Sequence, residues 1–153
     1  MSQIEQRLEA MGLSLPDAPA PAANYVPAVR TGDLLWVSGQ IAAGPDGPIR
    51  GRLGEDMDVE AGAEAARHCA LALLAQVRAA CDGDLSRLVR AVKLTGFVAS
   101  APGFTDQPRV VNGASDLLAE ALGEAGRHAR SAVGVASLPF GVAVEIEGVF
   151  QVR

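Results

Sequence analysis

The sequence predicts a single α+β domain, a mixed β-sheet with two main helices packed on one of its faces. Three observations lead there. The runs "YVPAVRTGDLLWVSGQI", "LVRAVKLTGFV" and "RSAVGVASLPFGVAVEIEGVFQV" are rich in β-branched residues, while two long stretches between them repeat apolar residues at helical spacing. Their order reads β-β-α-β-α-β-β. The chain has 153 residues, 49% hydrophobic and 20% charged, one domain's worth of an ordinary globular protein.

Each element has a local reason. Ser2-Gln3-Ile4-Glu5 has the form of a capping box, and Ile4, Leu8 and Met11 make a short helical stripe that Gly12 can close. Residues 1–15 are expected to be a helical extension of a domain spanning 16–153. The proline- and alanine-rich stretch from Leu15 to Asn24 predicts an extended linker on the surface. Thr31-Gly32-Asp33 suits a hairpin turn between two strands, and "AAGPDGPIRGRLG" reads as loop with room for a short strand. Asp58 can N-cap a helix to about Ala80, with Ala66, Ala70, Leu73, Leu74 and Val77 inward. "DGDLSR" breaks it, and a long strand follows. A second helix after Pro108 turns Val111, Ala114, Leu117, Leu118 and Ala121 inward. Gly113 costs that helix about 1 kcal/mol relative to alanine, which suggests a close backbone approach. Two strands then flank "SLPFG".

Composition excludes several roles. The net charge is −5 and the basic residues are scattered, which argues against nucleic acid as the main partner. No apolar run approaches the ~20 residues of a spanning helix, so no membrane partner is expected. Glu5, Arg7 and Glu9 stand where a secretion signal would be greasy, and a cytoplasmic protein is expected. Cys69 and Cys81 are placed on one helix, about 18 Å apart at 1.5 Å per residue, too far for a disulfide. The sequence has no P-loop, G-x-S-x-G, H-E-x-x-H or paired C-x-x-C. His68 and Cys69 point roughly 100° apart on a helix, poor spacing for one ion, so no metal site is expected.

Charge does enter the strands near the C-terminus. By alternation Val144, Ile146, Phe150 and Val152 share a face that should pack on the helices, and Glu145, Glu147 and Gln151 share the other. Ser131, Val133 and Val135 alternate with Arg130, Ala132 and Gly134, so the Arg130 face is lined by very small side chains. A guanidinium with room beside it suits bidentate capture of a carboxylate. On pattern alone, a sheet arginine such as Arg130 is more often the partner of a nearby glutamate or a solvated edge residue than a ligand-binding one. Glu145 and Glu147 fit an exposed face, His128 a surface or cap position, and Tyr25 a half-buried one. The pattern leaves function open.

Taken as one motif, "ARSAVGVASLPFGVAVEIE" resembles the C-terminal signature of the RidA (YjgF) family, R-x-x-V-x-V-x-x-L-P followed after four residues by V-E-I-E. "YVPAVRTGDLLWVSGQI" resembles the family's N-terminal hairpin, "RAVKLTGFVASAPGF" its central strand and loop, and "VNGASDLL" the start of its second helix. The resemblance covers about residues 16 to 153. It implies a chorismate-mutase-like fold assembled as a homotrimer with ligand clefts between subunits. It also implies hydrolysis of reactive 2-imino acids or their enamine tautomers, such as 2-aminoacrylate, to 2-keto acids and ammonia, with no metal or organic cofactor required. Arg130 would hold the substrate carboxylate and Glu145 would position the attacking water. Tyr25, Ser38, Gly39 and Asn112 would line the cleft, with backbone N–H groups near Gly39 and Ala132 at the carboxylate or carbonyl end. The chain departs from the family at four places. Ala132 stands where relatives commonly have cysteine and Gly134 where they have glutamate. The proline before the arginine and the aromatic after Asn112 are absent. Two other readings fit the same residues: a protein that binds a small carboxylate or keto acid without turnover, and RNA cleavage, an activity attributed to some relatives. The acidic balance and the lack of a histidine acid–base pair make RNA cleavage the weakest.

Overall fold

The computed structural model describes residues 1–21 and 23–153; Ala22, in the proline-rich linker, lies outside the described residues. Helix α1 (Gln3–Ala10) begins with the expected capping box. The Ser2 N–H donates to Glu5 Oε2 at 2.8 Å, and Glu5 N–H donates to Ser2 Oγ at 3.2 Å. Leu8 is buried, and α1 packs on the second long helix. Strands β1 (Ala28–Thr31) and β2 (Leu34–Ile41) pair antiparallel around Gly32-Asp33, with Gly32 at φ +60°. A positive φ at the first of two turn residues followed by a negative one is the type II′ arrangement that matches strand twist. The loop after β2 holds a two-residue ladder, β3 (Ala43–Gly44) with β4 (Gly47–Pro48).

Helix α2 (Val59–Ala80) is capped by Asp58, whose Oδ1 accepts from Ala61 N–H at 2.8 Å. Cys69 lies within it, but Cys81 is its C-cap residue rather than part of the helix. Both thiols are buried and free. Strand β5 (Leu88–Ala99) follows, then α3 (Gln107–Leu122), β6 (Ala129–Val135) and β7 (Val144–Val152). Pro108 is itself the second residue of α3, where its missing N–H costs nothing.

The main sheet has the order β1-β2-β7-β5-β6. All neighbours are antiparallel except β5 and β6, so the sheet is mixed as expected. Strands β6 and β7 do not pair with each other. The chain leaves β6 at the sheet edge, turns through Pro139–Gly141 and crosses to the far side of β5.

One face is dry. Val144, Ile146, Phe150 and Val152 are at most 1% exposed and form one core with Leu73, Leu74 and Val77 of α2 and Val111, Leu117 and Leu118 of α3. The two long helices meet at glycine: a Cβ on Gly113 would run into the Ala63 carbonyl oxygen. The opposite face has no helix, and Val29, Trp36 and Val133 remain 54%, 53% and 44% exposed on it. Among the described residues no helix is long and apolar enough to cross a membrane.

The helix contact generates a prediction. Gly113→Ala should destabilise the protein by about 1–3 kcal/mol or more, although alanine is the better helix former, because a backbone carbonyl has little room to yield. Urea unfolding of the variant would check it; a neutral or stabilising effect would mean that the helices can separate freely.

Candidate functional site

The predicted site residues fall into two groups on opposite faces of the sheet. Arg130 is paired in register with Leu94 of β5, a residue on the helix side. Its side chain reaches α3. Nη1 donates to Asn112 Oδ1 at 2.8 Å and to Ser115 Oγ at 3.1 Å, and Nη2 donates to the Pro108 carbonyl at 3.4 Å. No carboxylate among the described residues lies within ion-pair distance of it. The glutamate partner that pattern alone allowed is therefore not there.

A third layer orients Ser115. The Nδ1 of His128 lies 2.6 Å from the Gly126 carbonyl and its Nε2 lies 3.0 Å from Ser115 Oγ. A carbonyl only accepts, so Nδ1 carries the proton, Nε2 accepts from the serine hydroxyl, and the serine lone pairs are left for Arg130. Burial, and after it the Arg130 charge, hold His128 below the ordinary histidine range, which keeps this arrangement neutral. His128 is thus a support for Arg130 and not a free acid or base. Ala132 sits beside Arg130 on the same face, packed against the core. Gly134 backs onto α3: an added Cβ would lie 2.6 Å from Gln107 Nε2 and 3.0 Å from Ser100 Oγ. Those side chains fill the space that a larger residue at 134 would need.

Glu145 belongs to the other face, in register with Phe97 of β5 and Ile41 of β2. It rests against Gly39, where an added Cβ would lie 3.0 Å from the glutamate Cδ. A side chain at position 39 would have to push the Glu145 carboxylate aside by a few tenths of an ångström. The carboxylate of Glu145 has no hydrogen-bond donor among the described residues. Burial, and after it the charge of Glu147, raise its proton affinity above the ordinary glutamate range.

Glu145 and Gly39 border a cleft of about 890 Å³ that also takes in Tyr25. The cleft exists because β1 pairs only as far as Val37, leaving the second half of β2 without an outer strand. The proline-rich segment covers that margin instead. Buried Gln76 donates through Nε2 to the Pro19 carbonyl at 2.6 Å and to Gln40 Oε1 at 3.3 Å, and Gln40 Nε2 donates to the Ser38 carbonyl at 2.9 Å. Ser38 itself does not line the cleft. Its hydroxyl donates to the Val26 carbonyl at 3.0 Å and holds the strand that follows Tyr25, which lies before β1 and not in it. Among the described residues Gln40 and Gln76 are the two buried polar side chains, and neither stands out as a site residue from spacing alone. An amide inside an apolar stretch was the available signal.

The structure thus joins Tyr25, Gly39 and Glu145 in one cleft and Arg130, Asn112 and Ala132 on the other face. Within the chain it does not bring the two groups together. They are two strands apart and three residues out of register, roughly 10 Å in each direction. Among the described residues no three His, Cys, Asp or Glu side chains cluster as metal ligands would.

The comparisons with known proteins agree with this architecture. Residues 15–152 match the model of the family described as Endoribonuclease L-PSP. Protein TCP17 of Trypanosoma cruzi is 49% identical over 153 residues, covering 99% of this chain and 95% of that protein. The crystal structure of a protein of unknown function from Agrobacterium tumefaciens has 50% identity and a TM-score of 0.92, covering 99% of this chain and 93% of the other. The YjgF gene product of E. coli has 32% identity and a TM-score of 0.63, covering 90% and 94%. The chain belongs to the endoribonuclease L-PSP family, the YjgF/RidA group whose signature its C-terminal strands carry.

Proposed function

We propose that the protein is a hydrolytic deaminase of 2-imino acids and their enamine tautomers, releasing a 2-keto acid and ammonia. The observation that carries this reading is the Arg130 guanidinium, aimed by Asn112, Ser115 and the Pro108 carbonyl and bound to no carboxylate of the described residues. A fixed fork of donors without a counter-charge suits a substrate carboxylate. Residues 1–15 are read as an extension docked on a family domain of 16–153. Leu8 is buried in the core, and Arg7 Nη1 donates to the Ala121 carbonyl at 3.2 Å.

Arg130 and Glu145 face opposite sides of one sheet, so a site that uses both takes them from two copies of the chain. One copy supplies Arg130 and Asn112, its neighbour Tyr25, Gly39 and Glu145. A homotrimer with three such clefts fits, and the exposed Val29, Trp36 and Val133 give the copies an apolar surface to bury. In the reaction, Arg130 fixes the carboxylate and thereby the C=N carbon. Glu145 accepts a hydrogen bond from water and takes its proton as the oxygen bonds to that carbon. The π electrons pass to nitrogen, which receives the proton that Glu145 took from the water. The resulting carbinolamine collapses as Glu145 takes its hydroxyl proton and passes it to nitrogen in the same way, expelling ammonia and leaving the 2-keto acid. A carboxylate with raised proton affinity is the better acceptor in this step.

Ammonia release from 2-aminoacrylate generated in situ tests the reading; binding without release would make the protein a carboxylate-binding module. Arg130→Lys should be nearly as damaging as Arg130→Ala, on the order of 100-fold in rate, with both variants melting like the wild type. Lysine restoring activity would make Arg130 structural.

Glu145→Gln should keep binding and lose most turnover. In the wild type the acid limb of the pH–rate profile should lie above the usual glutamate range, because the base must be ionised. Thermal melts give an independent check. A carboxyl group with raised proton affinity in the folded state weakens folding at neutral pH and ceases to do so once pH falls below its unfolded value. Glu145→Gln should therefore melt higher than the wild type at pH 7, and the gain should shrink on acidification through the glutamate range.

A further inference from the structure

Resting on the deaminase reading, we infer that the substrate carries a bulky apolar side chain of aromatic size, held in the cleft beside Glu145. The cleft measures about 890 Å³, towards the upper end of the range for pockets that enclose drug-sized ligands. The smallest 2-imino acids would leave most of it to water. Its walls beyond Glu145 are largely carbon. Leu71 and Ala72 of α2 contribute from the helix side, and Pro16 and Pro19 from the proline-rich segment. The Gln76 amide donates to Gln40 Oε1 and to the Pro19 carbonyl, the Gln40 amide donates to the Ser38 carbonyl, and no buried polar side-chain atom is left without a partner among the described residues. An apolar group is what such a wall accepts without loss.

Phe140 supplies a second observation. It lines the same cleft, is 59% exposed, and has a left-handed backbone at φ +60°. Arg50 Nε donates to its carbonyl at 2.8 Å and holds the turn. A non-glycine residue kept in that conformation carries strain, which clusters at functional sites. Here the strained turn puts an aromatic residue on the cleft wall, with Tyr25 also lining it. Aromatic faces that meet a ring edge-on or offset favour a ring-sized partner.

Calorimetric titration with phenylpyruvate and with pyruvate, two stable keto-acid products, reads the inference without turnover. Phenylpyruvate should bind at least tenfold more tightly, since even one methylene in an apolar pocket is worth about tenfold. Ala72→Trp, which fills the cleft, and Phe140→Ala, which removes a wall, should each bring the affinity ratio of the two acids back towards one. Phe140 is at the surface, so its variant tests the inference even where the tryptophan disturbs folding. Equal affinities, tighter pyruvate, no binding of either acid, or a ratio unmoved by both variants would overturn it. If phenylpyruvate is preferred and the ratio responds, yet no imine is hydrolysed, the ligand class stands and the deaminase reading falls. If 2-aminoacrylate is hydrolysed with no preference for the larger acid, the reverse holds.

Discussion

Strand β5 runs between β6 and β7, and the placement of the two charged groups depends on that insertion. Arg130 and Glu145 are only fifteen positions apart in the chain. Had their strands formed a hairpin, with Val135 opposite Val144, the two would have shared one face, four residues apart along the strands. Instead β6 pairs parallel to β5 at the edge, β7 pairs antiparallel on its other side, and the registers put Arg130 with Leu94 and Glu145 with Phe97. Alternation then sends one side chain to the helices and the other to the open face. The result is a guanidinium and a carboxylate that are both partly buried and cannot neutralise each other within the chain. Each stays available to something else.

The surroundings of the two groups are specialised in opposite ways. Arg130 is held by hydrogen bonds, through Asn112 and through a serine that His128 orients. Glu145 is left without a donor among the described residues and packed against Gly39, and burial, with the charge of Glu147 after it, raises its proton affinity. One side of the proposed site therefore supplies fixed charge and geometry, the other a proton acceptor at the border of an apolar cleft. That cleft is a product of chain arrangement: a short β1, an uncovered margin of β2, and a proline-rich segment tied down by Gln76 and by Arg78, whose Nη2 donates to the Pro16 carbonyl at 3.4 Å.

Much of this was legible in the sequence where the determinants are local. The capping box at Ser2 and Glu5, the cap at Asp58, the inward stripe of α3 and the dry face of β7 all rest on spacing within one element. Gly113 was legible as a close approach because a glycine inside a helix needs a reason. Strand order was not, since β6 and β7 flank a turn and nothing in their residues says that β5 lies between them. The supports of Arg130 were equally hidden. Ser115 is one turn beyond Asn112 on α3, a spacing that pattern reading can find only once Arg130 is known to reach that helix. The cleft was invisible for the same reason: Leu71, Ala72 and Phe140 meet only in the folded chain.

The central claim is that one reactive site needs Arg130 of one copy and Glu145 of another. Mixing Arg130→Ala and Glu145→Gln subunits by co-refolding, then assaying ammonia release, tests it most directly. Each variant alone should be nearly inactive. In oligomers mixed at random roughly a quarter of the interfaces join an intact Arg130 to an intact Glu145, so about a quarter of wild-type activity should return. Activity that stays at the level of the separate variants, in a sample where mixed oligomers have formed, would contradict the account.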